Sequence, residues 1–213
     1  MRKLDVLNRG FSGYNTDNCK IILPKILEVE NQGPSKVKLM TLFLGTNDAL
    51  STVQHVPLSR YKANLSSMIQ EVLKYDIKLI LIGPGLHDPK LLPQGYADNG
   101  IIGDISSSLN NKTYSEAAKS VAEQHKVPFL DLWAAFQKKG GWSDEQLTQQ
   151  SVLIDMLLSD GIHFTSEAYQ LLYKELISAI EKEYPELAPS NLKMKLALWD
   201  TIDPANMEKT IFN

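Results

Sequence analysis

Two almost uninterrupted apolar runs constrain the fold of this chain more than any other feature. They cover Val37 to Leu44 and Ile77 to Ile82, and neither shows the polar alternation of a strand with one face in water. Apolar side chains on both faces are typical of parallel strands, which helices cover on both sides. The two runs therefore predict a parallel sheet at the centre of the protein.

Segments with apolar residues at helical spacing lie between these runs, as expected for strand–helix–strand units. The chain is therefore predicted to have an α/β fold. Pro24 fits the first helix only if that helix begins just before it, because proline lacks a backbone N–H. Helices are predicted over Cys19 to Glu30, Leu58 to Tyr75, Tyr114 to His125 and Ala168 to Tyr184, and further strands over Lys3 to Asn8 and Val127 to Leu130.

Length and composition predict one domain with a tail. The chain has 213 residues, of which 43% are hydrophobic, and this is enough to form one complete core. We assign residues 1–184 to this domain. Prolines interrupt the pattern over residues 185–213, apart from a short helix predicted near Leu192 to Trp199. This tail is predicted to pack on the domain or on a second subunit, which leaves a homodimer open.

Charge and cysteine content exclude several classes of function. The net charge of -3 and the pI near 5.8 give no electrostatic reason to expect nucleic acid or an anionic membrane as a partner. No apolar run is long enough to span a membrane, and the N-terminus lacks the apolar core of a secretory signal. The single cysteine, Cys19, excludes an internal disulfide and fits a reducing compartment, so a cytoplasmic location is expected. Neither a zinc-binding Cys/His spacing nor a glycine-rich phosphate loop is present, so no metal or cofactor is predicted.

An acid and an imidazole stand three residues apart at Asp160 and His163, just before the last predicted helix. The carboxylate can fix the tautomer of the imidazole and stabilise the imidazolium that forms when the ring takes a proton. That arrangement is half of a hydrolase triad. The structural alternative is that Asp160 ends a loop, Thr165 or Ser166 caps the helix and His163 is a surface residue.

The ends of two predicted strands carry further candidates. Gly13 lies after the first strand, and Asn47 follows the second within Gly45-Thr46-Asn47-Asp48. Loops that leave the carboxyl ends of parallel strands converge on one crevice, where Gly13 and Asn47 can each offer an N–H to an oxyanion. Taken singly, Gly13 can equally serve a turn with positive φ, and Asn47 can bond its own backbone.

A long loop from Gly83 to Asn111 follows the strand that ends at Ile82. Loops of this length in a domain are usually functional or disordered, and this one leaves the sheet edge where α/β folds bind ligands. We predict that it lines the substrate crevice with an apolar wall, which favours short acyl chains and small aliphatic alcohols. The apolar residues of the loop are Leu86, Leu91, Leu92, Tyr96, Ile101 and Ile102.

The G-F-S-G segment ending at Gly13, the G-T-N-D segment with Asn47 and the D-G-I-H segment from Asp160 to His163 resemble, in this order, three blocks of the SGNH (GDSL-type) hydrolases. Their surroundings are most similar to the fungal isoamyl acetate-hydrolysing esterases. The resemblance implies a flavodoxin-like three-layer α/β/α fold and hydrolysis of small carboxylic esters through an acyl-enzyme. It also implies Gly13 and Asn47 as the oxyanion hole, His163 as general base and Asp160 as its orienting acid.

The family's first block, a strand ending in Gly-Asp-Ser that supplies the nucleophile, has no counterpart here. The chain begins where the family's second strand begins, and Ser106 after Gly103-Asp104-Ile105 lies inside the long loop. We expect a truncated sequence, from which a targeting signal can also have been lost. The truncation is expected because the first strand of a flavodoxin-like sheet is internal, and a domain without it would lose backbone pairing and packing. The chain as given is expected to be inactive because the segment with the nucleophilic serine is absent.

Ser12 is the one alternative nucleophile that we weigh. It precedes Asp160 and His163 in the order of α/β-hydrolases, but Tyr14 occupies the second glycine position of the G-x-S-x-G elbow. The functional alternative to an esterase is a catalytically dead α/β module that binds a small ligand or a protein through the same crevice.

Overall fold

A central parallel sheet organises the protein. The computed structural model describes residues 4–92, 108–194 and 196–212. Within them the strands are β1 (Leu39–Phe43), β2 (Lys78–Ile82) and β3 (Phe129–Leu130), paired in parallel in the order β1-β2-β3. Helices flank the sheet, so the predicted α/β class is confirmed.

The helices confirm the main helical predictions and add short ones. Thr165 caps the last long helix, as one of the alternatives proposed, with its hydroxyl accepting the N–H of Ala168. The helices are α1 (Thr16–Gln32), α2 (Thr46–Ala49), α3 (Leu58–Leu73), α4 (Ser108–His125), α5 (Leu132–Gly140), α6 (Asp144–Thr148), α7 (Ser166–Glu183) and α8 (Met207–Ile211).

Two hydrophobic clusters fill the space on the two faces of the sheet. Alternate residues of β2 divide between them: Leu79 and Leu81 pack with α1, α3 and α4, whereas Ile80 and Ile82 pack with α5 and α7. This two-residue alternation is the geometry of a strand whose two faces are both covered. The prediction from the apolar run is therefore correct for β2.

The outer edge of β1 is open in the part of the chain that the structure describes. The strand predicted over Lys3 to Asn8 is wrong for its described residues: residues 4–8 form no sheet ladder, and Val6 is 96% exposed. An extended segment gains stability only when its backbone groups pair and its apolar side chains are buried. Among the described residues, residues 4–8 pair with no strand, and their side chains are exposed.

Three other expectations need correction. Pro24 lies in the middle of α1 rather than near its start. Residues 108–111 of the predicted loop belong to α4, and residues 93–107 lie outside the described residues. Of the helix predicted near Leu192 to Trp199, the described residues 192–194 and 196–198 are not helical. There the tail instead makes a bridge between Leu196 and Phe212, which α8 brings together.

The first part of the tail is attached to the domain. Leu187 packs against the cluster on the α7 side of the sheet, and Ala188 is buried. Just before the tail, Tyr184 donates a hydrogen bond from its hydroxyl to the carbonyl of Leu79 at 2.9 Å. Residues 196–212 form hydrogen bonds mainly with one another, such as the N–H of Ala197 to the carbonyl of Ile211 at 2.8 Å. Packing of this last part on a second subunit stays a prediction.

Replacing Pro24 is expected to stabilise the protein. Pro24 is exposed in the interior of α1 and has no N–H for the carbonyl of Lys20 one turn earlier. Pro24→Ala should raise the free energy of unfolding by up to about 3 kcal/mol, measured by urea denaturation. Lys25→Ala, at the next exposed position, is the control and should change it by less than about 0.5 kcal/mol. Equal stability of Pro24→Ala and the natural chain would contradict this reading of α1.

Candidate active site

The turn that carries Asp160 and His163 is built by local hydrogen bonds before α7 begins. Leu158 and Phe164 form an isolated antiparallel bridge, and Ser159 donates its N–H to the carbonyl of His163 at 2.8 Å. Gly161 sits between them with φ +89°, a left-handed conformation that side chains strain. The sequence therefore folds residues 158–164 into a tight loop that presents both ionisable side chains.

Asp160 holds His163 through its side chain and its backbone at once. The Nδ1 atom of His163 lies 2.7 Å from Oδ2 of Asp160, while Oδ1 accepts the backbone N–H of His163 at 2.8 Å and that of Ile162 at 3.0 Å. A carboxylate at Nδ1 favours the neutral tautomer with the proton on Nδ1, which leaves Nε2 as the basic atom. The side chain of His163 is 70% exposed, and within the described residues nothing is hydrogen-bonded to its Nε2.

The same contacts keep Asp160 ionised. Partial burial raises the pKa of the Asp160 carboxyl, but the backbone N–H and ring of His163, with the N–H of Ile162, outweigh this effect and lower the pKa below its usual value. An ionised Asp160 over the whole neutral range is what an orienting acid requires.

Gly13 and Asn47 are joined through the segment that precedes α1. Asn47 donates from Nδ2 to the carbonyl of Tyr14 at 2.8 Å, and Gln54 donates from Nε2 to the carbonyl of Gly13 at 2.6 Å. Gly13 has a φ of +76°, a left-handed backbone conformation that glycine adopts without strain. This conformation sets the directions in which its N–H and C=O groups point. Nδ2 of Asn47 carries a second hydrogen, and the N–H of Gly13 forms no hydrogen bond within the described chain.

Contacts between loops place these groups along one edge of the sheet. A Cβ atom placed on Gly45, after β1, would lie 3.1 Å from Cδ of Pro84, after β2. One placed on Gly85 would lie 3.3 Å from Cζ of Phe164, which follows His163 and also contacts Phe43 with ring centroids 6.0 Å apart. The loops after β1 and β2 and the turn with His163 therefore adjoin at the carboxyl ends of the strands.

Asp48 is a buried residue of this edge to which the sequence reasoning gave no role. It is fully buried, and its Oδ1 accepts the backbone N–H of Thr16 at 3.0 Å and the hydroxyl of the same residue. Burial raises the pKa of the Asp48 carboxyl, against the lowering effect of the bonds from Thr16. The bond joins the start of α1 to the loop with Asn47. In the sequence, the position of Asp48 directly before the apolar pair Ala49 and Leu50 could have indicated that it is buried.

One expectation about the site needs correction. Leu86 does not line an open crevice, because it is 1% exposed and packs in the core with Phe136 and Leu158. Leu91 and Leu92 are partly buried, and Tyr96, Ile101 and Ile102 lie outside the described residues. Ser12 is exposed and has no hydrogen bond within the described residues, so nothing there joins it to His163.

The part of the chain that the structure describes contains neither a cluster of metal-binding side chains nor a helix able to span a membrane. No group of three or more His, Cys, Asp or Glu residues there has the arrangement to hold a metal ion. None of the described helices is long and apolar enough to cross a membrane.

Solved structures similar to this one are esterases and lipases. The acetylxylan esterase of Geobacillus stearothermophilus superposes with a TM-score of 0.60 at 19% identity, over 82% of this chain and 71% of that one. The lipase/acylhydrolase of Enterococcus faecalis superposes with a TM-score of 0.56 at 21% identity, over 80% of this chain and 72% of that one. At these identities the likeness concerns the fold alone.

Sequence relatives are closer. The isoamyl acetate-hydrolyzing esterase of Saccharomyces cerevisiae is 37% identical over 204 residues, which are 95% of this chain and 80% of that protein. The human isoamyl acetate-hydrolyzing esterase 1 homolog is 34% identical over 221 residues, which cover 99% of this chain and 80% of that protein. The sequence profile of the GDSL-like Lipase/Acylhydrolase family matches residues 1–171. With this match over most of its length, the chain belongs to the GDSL-like lipase/acylhydrolase (SGNH) family and is an SGNH-type esterase by homology.

Proposed function

We propose that this protein hydrolyses small carboxylic esters through an acyl-enzyme, with His163 as general base and Asp160 as its orienting acid. The observation that carries the proposal is the double hold on His163, whose ring and backbone N–H both contact one carboxylate, at 2.7 Å and 2.8 Å. This hold leaves Nε2 facing outward as a base. A surface histidine without function needs no such fixed tautomer.

The proposed chemistry runs in two steps. A serine hydroxyl attacks the ester carbonyl and passes its proton to Nε2 of His163, and the imidazolium then protonates the leaving alcohol. Water, activated by the same nitrogen, hydrolyses the acyl-enzyme to release the acid. The backbone N–H of Gly13 and the second hydrogen on Nδ2 of Asn47 are the proposed donors to the oxyanion of each tetrahedral intermediate.

We further propose that the nucleophilic hydroxyl belongs to a strand that pairs with the open edge of β1, outside these 213 residues. Two observations support this. The edge of β1 has no partner in the described chain although its run Leu39–Phe43 is apolar, and Nε2 of His163 has no hydroxyl bonded to it there. A parallel strand at that edge would end beside the loop with Asn47. Ser12 is the alternative nucleophile that this proposal rejects.

The second candidate function is a binding module without catalysis. It is favoured by one observation: the side chain of His163 is 70% exposed and no nucleophile is bonded to it within the described residues. The two candidates differ in what happens when a hydroxyl is supplied, because only an esterase then turns substrate over.

For the substrate we propose esters with a short acyl chain and a small aliphatic alcohol. The relatives named for isoamyl acetate hydrolysis support this class, the yeast protein being 37% identical. Of the described part of the long loop, Leu91 adjoins the turn with His163, because a Cβ atom placed on Gly161 would lie 3.4 Å from its Cβ, and Leu91 and Leu92 are both partly buried. Each methylene of the substrate that is buried in an apolar pocket adds about 0.8 kcal/mol to the binding free energy. A short pocket cannot bury the further methylenes of a longer acyl chain.

The decisive experiment supplies the missing hydroxyl. The 213-residue chain should turn over p-nitrophenyl acetate negligibly, and an N-terminal extension of about 40 residues, forming a strand that ends in Gly-Asp-Ser, a loop and a helix, should create activity. Loss of a serine nucleophile costs about 10⁶ in kcat, so the difference is large. The matched control is the same extension with Ala in place of that serine.

Substitutions in the extended protein test each role. His163→Ala should abolish turnover, Ser12→Ala should retain most of it, and Asn47→Ala should lose about 10²–10³ in kcat, as expected for one oxyanion donor. Robust turnover by the 213-residue chain itself, lost in Ser12→Ala, would instead make Ser12 the nucleophile. An inactive extended protein that folds would favour the binding module.

Acyl length tests the substrate class. In the extended protein kcat/KM should be highest for acetyl esters and fall as the acyl chain lengthens to decanoyl, because added methylenes exceed the proposed pocket. The series is run on p-nitrophenyl esters, with isoamyl and ethyl acetate to compare alcohols. A rise toward decanoyl would indicate a lipase-like channel and overturn the specificity proposal.

The lowered pKa of Asp160 predicts how stability depends on pH. A carboxyl whose pKa is lower in the folded state stabilises the protein above its unfolded pKa, and this contribution is lost as the pH falls through the folded pKa. Asp160→Asn should therefore lower the urea midpoint at pH 7, and the difference should shrink below about pH 4. Asp155→Asn, an exposed position in the same segment, is the control. A difference independent of pH would contradict the ionised hold on His163.

A further inference from the structure

Asp88 is a buried carboxylate held by backbone groups. It is 2% exposed, and its Oδ1 accepts the N–H of Lys90 at 3.0 Å while Oδ2 accepts the N–H of Ile154 at 2.9 Å. No lysine, arginine or histidine forms an ion pair with it in the described chain, and the amine of Lys90 bonds to the carbonyl of Gln150 instead. The two backbone N–H groups satisfy one oxygen each, which offsets the cost of burying this side chain without a cation.

The backbone of Asp88 reaches the turn that carries His163. Its N–H donates to the carbonyl of Gly161 at 3.0 Å. The carbonyl of Asp88 also lies against Gly161, because a Cβ atom placed on Gly161 would lie 2.2 Å from the carbonyl oxygen of Asp88. Gly161 also has φ +89°, so both its space and its conformation require glycine. The backbone of Gly161 therefore packs directly against the peptide of Asp88, with no room for a side chain on Gly161.

We propose that Asp88 is a positioning residue for the Asp160–His163 pair. Its side chain caps the short 3-10 helix Pro89–Leu91 through the N–H of Lys90 and also holds the segment at Ile154, and its backbone joins both to Gly161. Through these bonds it fixes the peptide between Asp160 and His163, on which the 2.7 Å contact of their side chains depends. Asp88 itself touches neither side chain through a hydrogen bond. This inference rests on the proposed role of His163 as general base.

Loss of the carboxylate would release the turn for a specific reason. An asparagine at position 88 can accept from only one of the two N–H groups, and its own amide would face the other as a second donor. The buried N–H of Ile154 or Lys90 would then lack an acceptor, and the loop would move to satisfy it. Gly161 would lose its donor as a result, and the Asp160 side chain would no longer be aligned with Nδ1 of His163.

The test uses the 213-residue chain and needs no catalytic turnover. Ring ¹⁵N chemical shifts of His163 at alkaline pH report which nitrogen carries the proton of the neutral imidazole. The natural chain should hold the proton mainly on Nδ1, and Asp88→Asn should reduce the ratio of this tautomer to the other by about tenfold, the scale of one lost hydrogen bond to a charged group. Asp155→Asn, an exposed acid next to Ile154, removes the same charge and should leave the ratio unchanged.

Gly161→Ala disrupts the same contact from the side of the turn and leaves the Asp88 carboxylate in place. It should reduce the tautomer ratio as Asp88→Asn does, and the double variant should be no worse than either single one. If Asp88→Asn fails to fold, hydrogen exchange of the natural chain still decides. The amide protons of Asp88, Lys90 and Ile154 should then exchange together, as one unit.

Two results would overturn the proposal. One is an unchanged His163 tautomer in a folded Asp88→Asn or Gly161→Ala protein, because Asp88 would then serve stability alone. The other is fast exchange of the Asp88 amide while that of Ile154 is protected. If the tautomer responds as expected and the extended protein is nevertheless inactive, the positioning role holds and the esterase proposal fails, so the two are tested separately.

Discussion

The burial of β2 on both faces is the constraint on which the rest of the structure depends. Helices on each side of Leu79 and Ile80 exclude water from the strand, so its polar backbone must pair with β1 and β3. Parallel pairing sends all the following loops out at one edge. The close packing of Gly45 on Pro84 and of Gly85 on Phe164 at that edge is a consequence. The candidate site lies at this edge because the parallel strands all end there and their loops adjoin one another.

The elements whose neighbours are close in sequence could be predicted. Apolar periodicity placed α3 within two residues at its end, and the run from Ile77 to Ile82 gave β2 nearly as observed. The pairing of Asp160 with His163 was also predictable, since three residues in a tight turn bring a carboxylate to an imidazole. In each case the residues that form the sequence pattern belong to a single helix, strand or turn.

Interactions between distant segments could not be predicted. The sequence of Leu4 to Asn8 reads as a strand, but a strand exists only where another strand pairs with it. Pro24 was tolerated inside α1 because packing of the helix offsets a local cost. Asp48 accepts the N–H of Thr16, 32 residues away, and Asp88 accepts that of Ile154, 66 residues away. A local sequence pattern does not predict partners at such distances along the chain.

The open edge of β1 in the described chain and the exposure of His163 concern the same candidate site. An oxyanion hole acts strongly only where water is excluded, because donors in a low dielectric stabilise charge far more than donors in water. The side chain of His163 is 70% exposed, so the proposed base and the proposed donors at Gly13 and Asn47 would act in contact with water. A strand on the edge of β1 would supply apolar cover as well as a hydroxyl. Its contribution to catalysis would therefore exceed that of the nucleophile alone, since it would also exclude water from the proposed base, His163, and from the proposed oxyanion donors.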